Sequence, residues 1–535
     1  MGVCDRSRVL FVLTLVLVGL WVYMFLSLFA GGNIYSSKTL LVESKTNQLR
    51  VPPLSSAYHP PEPIKVNVHP AKPVSSTKVH RKTDVKRLLS SKIELPLVQT
   101  TNEEFTEPPS LDEVATNVSR YIHTIHERFK QLAGPTVTAE EVWEAFVDET
   151  KKGPMMWDDI NKHRFPKPRR DNSIFVSLGS YRDPFCPMTI KSLYDNAKHP
   201  EKVFVGLFQQ NCFGPVCKTG VLIGGKVEDT SPDINCYTDF CSSPEGIKSH
   251  ACERNQVRLF NVNESESLGP YMARYLGSKF YRGEQYYLQI DSHSEFVSNW
   301  DEKLIHMVET AEAEKPVIST YPPDSKTNWR DTIGYRMCDS EFASAQIEWQ
   351  IIRLGTSLPF DRKIPEKPKY APFVAAGFFF GPAELLHEVP FDPFLPWIFM
   401  GEEISVSARL WTSGYDIFSP TINVLNHYYV RRHYPKFWES VNRFFGKPSI
   451  HNDIVELIIN RVKYMLGYPE SKLELVHPSS ILFRQDDWSM GRKRSLEQYM
   501  KMVGLDMTGK KTRKNMWCHK GEWPEEALPY RISKT

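Results

Sequence analysis

Short apolar segments alternate with amphipathic segments between residues 173 and 320, and this alternation constrains the fold more than any other feature of the sequence. The apolar runs predict strands at residues 173–178, 203–208, 257–261, 286–290 and 317–320, and the amphipathic runs predict helices at residues 188–197, 271–280 and 299–312. Strands and helices that alternate at this spacing are typical of an α/β fold, in which helices flank a mostly parallel sheet.

Two loops of this predicted sheet are the first candidates for a functional site, because ligands of such sheets bind beyond the carboxyl ends of the strands. They are residues 179–184 (GSYRDP) and residues 291–295 (DSHSE). Asp291 and His293 stand two residues apart after a buried strand, which directs both side chains into the same crevice. A carboxylate and an imidazole suit Mn²⁺ or Mg²⁺, and such an ion would neutralise a sugar-nucleotide diphosphate. A structural cap is the alternative explanation of so short a motif.

Residues 9–30 contain no charged side chain. As a helix they would span roughly 33 Å, which is enough to cross the core of a bilayer. Arg6 and Arg8 precede this segment and the next lysine is Lys38, so the positive-inside rule places the N-terminus in the cytosol. A cleaved signal peptide is the alternative, but an apolar run of this length without a small-x-small site argues against it. We therefore expect a cytosolic tail at residues 1–8 and a transmembrane signal-anchor at residues 9–30.

The rest of the chain divides by composition and periodicity. Residues 31–108 are rich in Pro, Ser and Thr and lack an apolar period, which predicts a disordered stem. Residues 109–165 form a predicted helical stem segment, because apolar residues recur there at spacings of three and four. This helix either forms a coiled-coil homodimer or packs on the catalytic domain, and both alternatives stay open. The catalytic domain is expected at residues 166–450, followed by a helical extension packed on it at residues 451–535.

The cysteine content favours disulfide bonds. The chain has nine cysteines, of which all but Cys4 follow the predicted membrane segment. An even number of cysteines in an oxidising compartment is typical of a disulfide-bonded domain. The alternative is a zinc site built from two C-x₄-C pairs, Cys212/Cys217 and Cys236/Cys241, although this spacing is looser than in most structural zinc sites.

Charge excludes one class of partner. The formal net charge is +3 for 535 residues, and no nucleic-acid-binding motif accompanies it, so we expect no nucleic-acid partner. Sequons for N-glycosylation begin at Asn117 and Asn263, and they suit a chain that enters the secretory pathway.

Several long motifs, in order, resemble glycosyltransferase family 60, the polypeptide and hydroxyproline N-acetylglucosaminyltransferases. They are IFVSLGSYRDPFCPMTIKSLYDNAKHPEKVFVGLFQQ, GPYMARYLGSKFYRGEQYYLQIDSHSEFVSNWD, APFVAAGFFFGPAELLHEVPFDP, IFMGEEISVSARLWTSGYDIFSP and NHYYVRRHYPKFWE. The resemblance covers roughly residues 171 to 505. The IDSHSE string is more distantly similar to the mucin-type polypeptide GalNAc-transferases, which use an Asp-x-His metal motif.

The resemblance implies a GT-A fold, a UDP-sugar donor, a divalent cation and retention of anomeric configuration. It implies that Asp291, His293 and His427 are the metal ligands. A retaining enzyme uses either a carboxylate nucleophile in a double displacement or attack by the acceptor from the leaving-group side, and the sequence leaves both open. Glu295 departs from the family, whose members often carry Arg or another residue at this position, and this departure bears on the identity of the donor sugar.

The resemblance also suggests residues that bind the nucleotide and act on the sugar. The nucleotide-sugar candidates are Tyr181, Arg182, Asp183, Arg274 and Arg431, and the catalytic candidates are Glu402 and Glu403, between which the sequence does not choose. An Arg–Asp pair capping a helix is the alternative for the loop at residues 180–183. Acidic residues that favour a helix N-terminus are the alternative for the two glutamates.

Taken together, these expectations describe a single-pass type II Golgi membrane protein with a lumenal catalytic domain. It would transfer GlcNAc from UDP-GlcNAc to Ser, Thr or hydroxyproline of a protein, with Mn²⁺ or Mg²⁺ as cofactor. Two alternatives remain: a transferase that uses another UDP-sugar such as GalNAc, whose choice depends on few pocket contacts, and a catalytically inactive, lectin-like ectodomain on the same scaffold.

Overall fold

The structure is a computed structural model that describes residues 108–153, 166–213, 222–223, 226–227, 233–330, 332–343, 351–361, 363–429 and 434–533. All of these belong to one compact unit, Val51–Thr535. The predicted tail and signal-anchor, the predicted stem except its last residue, residues 154–165 of the predicted helical segment, and Arg431 lie outside the described residues. Within the described ranges, no helix is long and apolar enough to cross a membrane.

The described chain contains helices and strands in alternation over its middle part. The helices are α1 (Leu111–Leu132), α2 (Ala139–Lys152), α3 (Cys186–Asn196), α4 (Cys236–Ser242), α5 (Pro244–Ser249), α6 (Gly269–Ser278), α7 (Trp300–Thr310), α8 (Leu385–Glu388), α9 (Glu402–Thr412), α10 (Phe437–Phe445), α11 (Ile450–Met465), α12 (Leu496–Val503) and α13 (Met516–Lys520). The strands are β1 (Ile174–Tyr181), β2 (Val203–Asn211), β3 (Leu222–Ile223), β4 (Lys226–Val227), β5 (Val257–Asn263), β6 (Tyr286–Asp291), β7 (Pro316–Ser319), β8 (Arg336–Phe342), β9 (Ile352–Ser357), β10 (Lys369–Tyr370), β11 (Phe378–Pro382), β12 (Asp416–Ser419), β13 (Leu505–Asp506) and β14 (Lys511–Thr512).

Eight strands form the central sheet, in the order β10-β12-β7-β11-β6-β1-β2-β5. β5, β2, β1 and β6 are parallel to one another, and so are β12 and β7. β11 is antiparallel to β6 and β7 on either side, and β10 is antiparallel to β12. The prediction of an α/β fold with a mostly parallel sheet is confirmed, and each predicted strand and helix between residues 173 and 320 overlaps an observed one.

The apolar sequences of the central strands explain their position. In β1, β2 and β6 nearly every residue is buried, as expected for strands covered by helices on both faces. Their carboxyl ends meet at one edge, where Gly179 of β1 lies beside Asp291 of β6. This edge therefore brings together the two loops that the sequence singled out.

The apolar face of α1 packs inside the molecule. Phe129 contacts Trp397 and Phe445 at ring-centroid distances of 5.4 and 5.5 Å, and Tyr121 hydrogen-bonds Thr150 of α2 at 3.1 Å. The structure therefore shows the second of the two alternatives for this helix, packing against the catalytic domain. A homodimer through the same face would require α1 to leave that domain.

The described cysteines, Cys212 among them, form disulfides rather than a zinc site, and Cys217 lies outside the described residues. Cys186 is bonded to Cys236, Cys241 to Cys252, and Cys338 to Cys518. Cys236 and Cys241 therefore have different partners, which the spacing did not predict. The Cys338–Cys518 bond ties α13, near the end of the chain, to β8.

Candidate active site

The core of the site lies at the end of β6. Asp291 is its last residue, and the Asp291 side chain is 29% exposed. Its main-chain N–H donates to the Gly377 carbonyl at 3.3 Å, just before β11. A Cβ atom at Gly377 would lie 2.9 Å from Asp291 Oδ2, so a glycine there lets the two segments approach closely.

Asp291, His293 and His427 converge although 134 residues separate the two histidines. His427 Nε2 lies 3.1 Å from Asp291 Oδ2 and 2.9 Å from His293 Nε2. All three donor atoms lie within 4.8 Å of one another. Neighbouring ligands of a six-coordinate ion with metal–ligand bonds of about 2.0–2.2 Å lie about 3 Å apart. The donor set and its spacing therefore fit a divalent ion.

Asp183 lies behind His293. Its Oδ2 accepts hydrogen bonds from Ser292 Oγ at 2.5 Å and from His293 Nδ1 at 2.7 Å. Because Nδ1 is bonded to a carboxylate, Nε2 is turned toward Asp291 and His427. A carboxylate that orients a ligating imidazole in this way also raises its basicity.

Arg274 connects Asp291, one of the three candidate metal ligands, to Glu402, one of the two candidate catalytic glutamates. Its Nη2 donates to Asp291 Oδ1 at 2.9 Å, and its Nη1 forms a short contact with Glu402. Burial raises the pKa of Asp291, but the hydrogen bond to His427 and the charge of Arg274 outweigh it, so the pKa lies well below its usual range. The Asp291 carboxylate is therefore ionised, as a metal ligand must be.

The two candidate glutamates occupy different environments. Glu402 is 2% exposed and is bonded by Arg274 and, at 3.5 Å, by Gln289 Nε2. Glu403 is only partly buried; it accepts from the Tyr321 hydroxyl and from the Ala376 N–H at 2.9 Å. Burial raises the pKa of Glu403 to about 7, with the hydrogen bonds from Tyr321 and Ala376 opposing the shift.

Tyr181 is the last residue of β1 and Arg182 follows it, and the polar groups of both side chains are largely hydrogen-bonded. The Tyr181 hydroxyl lies 2.6 Å from Ser440 Oγ of α10. Arg182 has a left-handed backbone (φ 44°), and it forms bonds of 2.7 and 3.0 Å with the Asp233 carboxylate. Its Nη1 is buried and makes no hydrogen bond within the described part of the chain.

The structure thus brings together nine of the ten predicted site residues at one end of the sheet, and the tenth, Arg431, lies outside the described residues. Sequence reasoning missed Asp233, Gly377 and Tyr321, which support Arg182, Asp291 and Glu403. Gly377 stands in the motif APFVAAGFFFGPAELLHEVPFDP, but nothing in that motif indicates a contact with Asp291. Asp233 and Tyr321 stand in none of the quoted motifs, and all three residues are far along the chain from their partners. Asp301, in the first turn of α7, has a structural role: it accepts hydrogen bonds from the N–H groups of Lys198 and His199 at 2.7 and 2.8 Å.

Fold and site together define an α/β protein that gathers a carboxylate and two imidazoles at the carboxyl ends of its strands. The chain belongs to the glycosyltransferase (GlcNAc) family, whose model matches residues 173–509. Among solved structures, it is similar to the crystal structure of GalNAc-T7 with UDP, GalNAc and Mn²⁺, with 15% sequence identity and a TM-score of 0.38. That similarity covers 62% of this chain and 57% of the other chain. No curated protein matches this chain significantly.

Proposed function

We propose that this chain is a metal-dependent, retaining transferase with a GT-A fold, which moves GlcNAc from UDP-GlcNAc to a hydroxyl of Ser, Thr or hydroxyproline in a protein. The observation that carries the proposal is the convergence of Asp291, His293 and His427 in a chain of the glycosyltransferase (GlcNAc) family. The resemblance of the long motifs to family 60 supports the choice of donor and acceptor.

Asp291, His293 and His427 would hold Mn²⁺ or Mg²⁺. When bound, such an ion stabilises the negative charge of the departing diphosphate. Asp183 orients His293, and Arg274 keeps Asp291 ionised and in place. During transfer the acceptor oxygen forms a bond to the anomeric carbon, the bond from that carbon to the diphosphate breaks, and the hydroxyl proton leaves with the UDP or a nearby base.

We assign nucleotide binding to the end of β1. Arg182 Nη1 and Asn211 Oδ1 are buried, and neither makes a hydrogen bond within the described ranges. They lie at the carboxyl ends of the neighbouring strands β1 and β2, where a donor and an acceptor suit the edge of a pyrimidine base. Tyr181 ties this loop to α10 through its hydrogen bond with Ser440, and Arg431 is proposed as a further contact to the diphosphate.

Of the two glutamates, we assign Glu403 to the sugar and acceptor. Glu402 is enclosed by Arg274 and Gln289, so its carboxylate serves to hold Arg274. Glu403 is the more exposed of the two, and its raised pKa lets it exchange a proton near neutral pH.

We further propose a type II topology in the Golgi membrane, with the signal-anchor at residues 9–30 and the transferase domain in the lumen. The support is the uncharged segment, the arginines that precede it, and the disulfides of the described domain.

A donor panel tests the proposed function. The purified full-length chain is incubated with UDP-GlcNAc, UDP-GalNAc, UDP-glucose or UDP-galactose, with Mn²⁺ or with chelator, and released UDP is measured. We expect the fastest release from UDP-GlcNAc and none in chelator. Faster release from UDP-GalNAc would overturn the donor assignment, and no release from any donor would favour the inactive ectodomain.

A further inference from the structure

His293 and His427 are carried by two segments that pair as a short antiparallel ladder, here called the histidine ladder: residues 293–297 and 424–428. Tyr428 N donates to His293 O at 3.0 Å, Asn426 N to Glu295 O at 2.9 Å, and Val297 N to Val424 O at 2.9 Å. Phe296 and Leu425 form an antiparallel bridge in the same register. The meeting of the two imidazoles therefore depends on the register of this ladder.

So short a ladder contains few main-chain bonds to select its register, and a slip of one residue would move each side chain to the opposite face. The main chain of His427 is also bonded on its other side, to Pro323 and Ser325. Those bonds hold residue 427 but do not fix its position along the segment that carries His293.

One side-chain pair inside the ladder does select the register. Asn426 Oδ1 accepts from the main-chain N–H of Glu295 at 2.9 Å, and Asn426 Nδ2 donates to Glu295 Oε2 at 2.9 Å. Asn426 is fully buried, and the Glu295 side chain is 30% exposed. The pair needs an amide at residue 426, because an amide offers an acceptor and a donor in the same group.

We propose that Asn426 and Glu295 are positioning residues, which lock the register of the histidine ladder and so hold His293 Nε2 and His427 Nε2 at the spacing that a divalent ion requires. The inference rests on the proposed function of Asp291, His293 and His427. It adds to that function two residues which do not ligate the ion and act only through the histidines. Glu295, whose place in the sequence raised a question about the donor sugar, thereby receives a role in the metal site.

The decisive variant is Asn426→Asp, which changes one atom and replaces the donor with an acceptor. The variant places a buried carboxylate next to the carboxylate of Glu295. The two negative charges repel each other, and we expect the histidine ladder to lose its register. Removal of a residue that orients metal ligands typically costs about 10–100-fold in metal affinity. We therefore expect binding of Mn²⁺ alone to the full-length chain, titrated by electron paramagnetic resonance, to weaken at least about tenfold.

The double variant Asn426→Asp/Glu295→Gln restores the pairing in reverse. The introduced carboxylate still accepts from the N–H of residue 295, and the introduced amide donates to its second oxygen. We expect Mn²⁺ affinity to return to within about threefold of the wild type, as coupling within one hydrogen-bonded pair predicts. Failure of the double variant to recover affinity would overturn the proposal, as would wild-type Mn²⁺ affinity in Asn426→Asp.

Asn423→Asp is the matched control. Asn423 is equally buried beside the ladder, with its amide bonded to Thr332 Oγ1 at 2.9 Å and to the Ile333 carbonyl at 3.0 Å. Its replacement should lower the thermal midpoint but leave the Mn²⁺ affinity of the folded chain unchanged. An equal loss of affinity in this variant would show that any buried charge has this effect, and would overturn the register argument.

Two further variants distinguish failure to fold, failure of the metal site and failure of the positioning role. If Asn426→Asp does not fold, Glu295→Ala tests the same pair from its more exposed side, where we expect several-fold weaker Mn²⁺ binding and where unchanged binding would contradict the proposal. Asp291→Asn separates the two levels of the argument. If it binds Mn²⁺ as the wild type does, the metal site itself is wrong; if it loses Mn²⁺ while Asn426→Asp keeps it, only the positioning role is wrong.

Discussion

At the scale of single residues, the site is a network of hydrogen bonds and ion pairs in which each group positions its neighbour. Asp183 holds His293, Arg274 holds Asp291 and Glu402, and Tyr321 and the Ala376 N–H hold Glu403. Arg274 lies between the carboxylates of Asp291 and Glu402, so these buried charges are paired, as burial in a protein requires. The removal of one charge should therefore affect the site more strongly than the loss of one contact.

Asp291→Asn keeps the size of the side chain and removes the charge that would hold the cation. We expect transfer to fall by about two orders of magnitude or more, because stabilisation of the departing diphosphate supplies several kcal/mol. The measurement is kcat/KM for sugar transfer at saturating Mn²⁺.

Asp301→Asn is the control for this variant, since Asp301 is 2% exposed and its carboxylate accepts hydrogen bonds from the main-chain N–H groups of Lys198 and His199, away from the metal ligands. It should lower stability and leave the kcat/KM of the folded enzyme nearly unchanged. Equal activity losses in the two variants would contradict the role of Asp291.

Glu403→Gln tests the raised pKa of Glu403. Between its ordinary value of 4.5 and its value of about 7 in the folded protein, the unfolded chain releases a proton that the folded chain retains. Wild-type stability therefore falls as the pH rises through this window. Glutamine removes the effect, so the thermal midpoint of Glu403→Gln minus that of the wild type should increase from pH 5 to pH 8. A constant difference would show that Glu403 titrates normally.

At the scale of secondary-structure elements, the sequence predicted those features that a local pattern of residues determines. The strands of the central sheet were predictable because each is an apolar run, and Asp291 and His293 were predictable as a site because they directly follow one. The position of Asp183 behind His293 was not predictable, because it depends on a hydrogen bond from Ser292, which is 109 residues away in the sequence. His427 came from the motif resemblance alone, because no local period links it to β6. The pairings of the cysteines were likewise beyond the sequence, which permits many combinations.

The packing of α1 on the catalytic domain also gives a testable prediction at the scale of elements. Phe129 is 3% exposed and packs on Trp397 and Phe445 of the catalytic domain. Phe129→Ala should destabilise that domain by about 3–5 kcal/mol, as truncation of a buried aromatic residue does. The measurement is denaturant unfolding followed by tryptophan fluorescence. The exposed neighbour Arg128→Ala should change little, and a wild-type midpoint in Phe129→Ala would indicate an independent stem helix.

At the scale of the whole molecule, the proposed topology places the transferase domain in the oxidising lumen, where its disulfides are stable. The sequons at Asn117 and Asn263 then become accessible to the glycosylation machinery. Glycosidase treatment of the membrane-bound protein should increase its gel mobility. The same treatment should not change the gel mobility of the Asn117→Gln/Asn263→Gln variant. A wild-type chain that does not shift and is cleaved by protease in sealed microsomes would contradict the type II topology.

The central claim is that one divalent ion is held jointly by Asp291, His293 and His427 beneath a nucleoside diphosphate. Crystals of the protein grown with Mn²⁺ and UDP, measured at the manganese absorption edge, test it most directly. We predict one anomalous peak about 2.0–2.2 Å from Asp291 Oδ2 and from the Nε2 atoms of both histidines, with the diphosphate on its open side. A manganese peak elsewhere, with the two imidazoles still hydrogen-bonded to each other, would contradict the account.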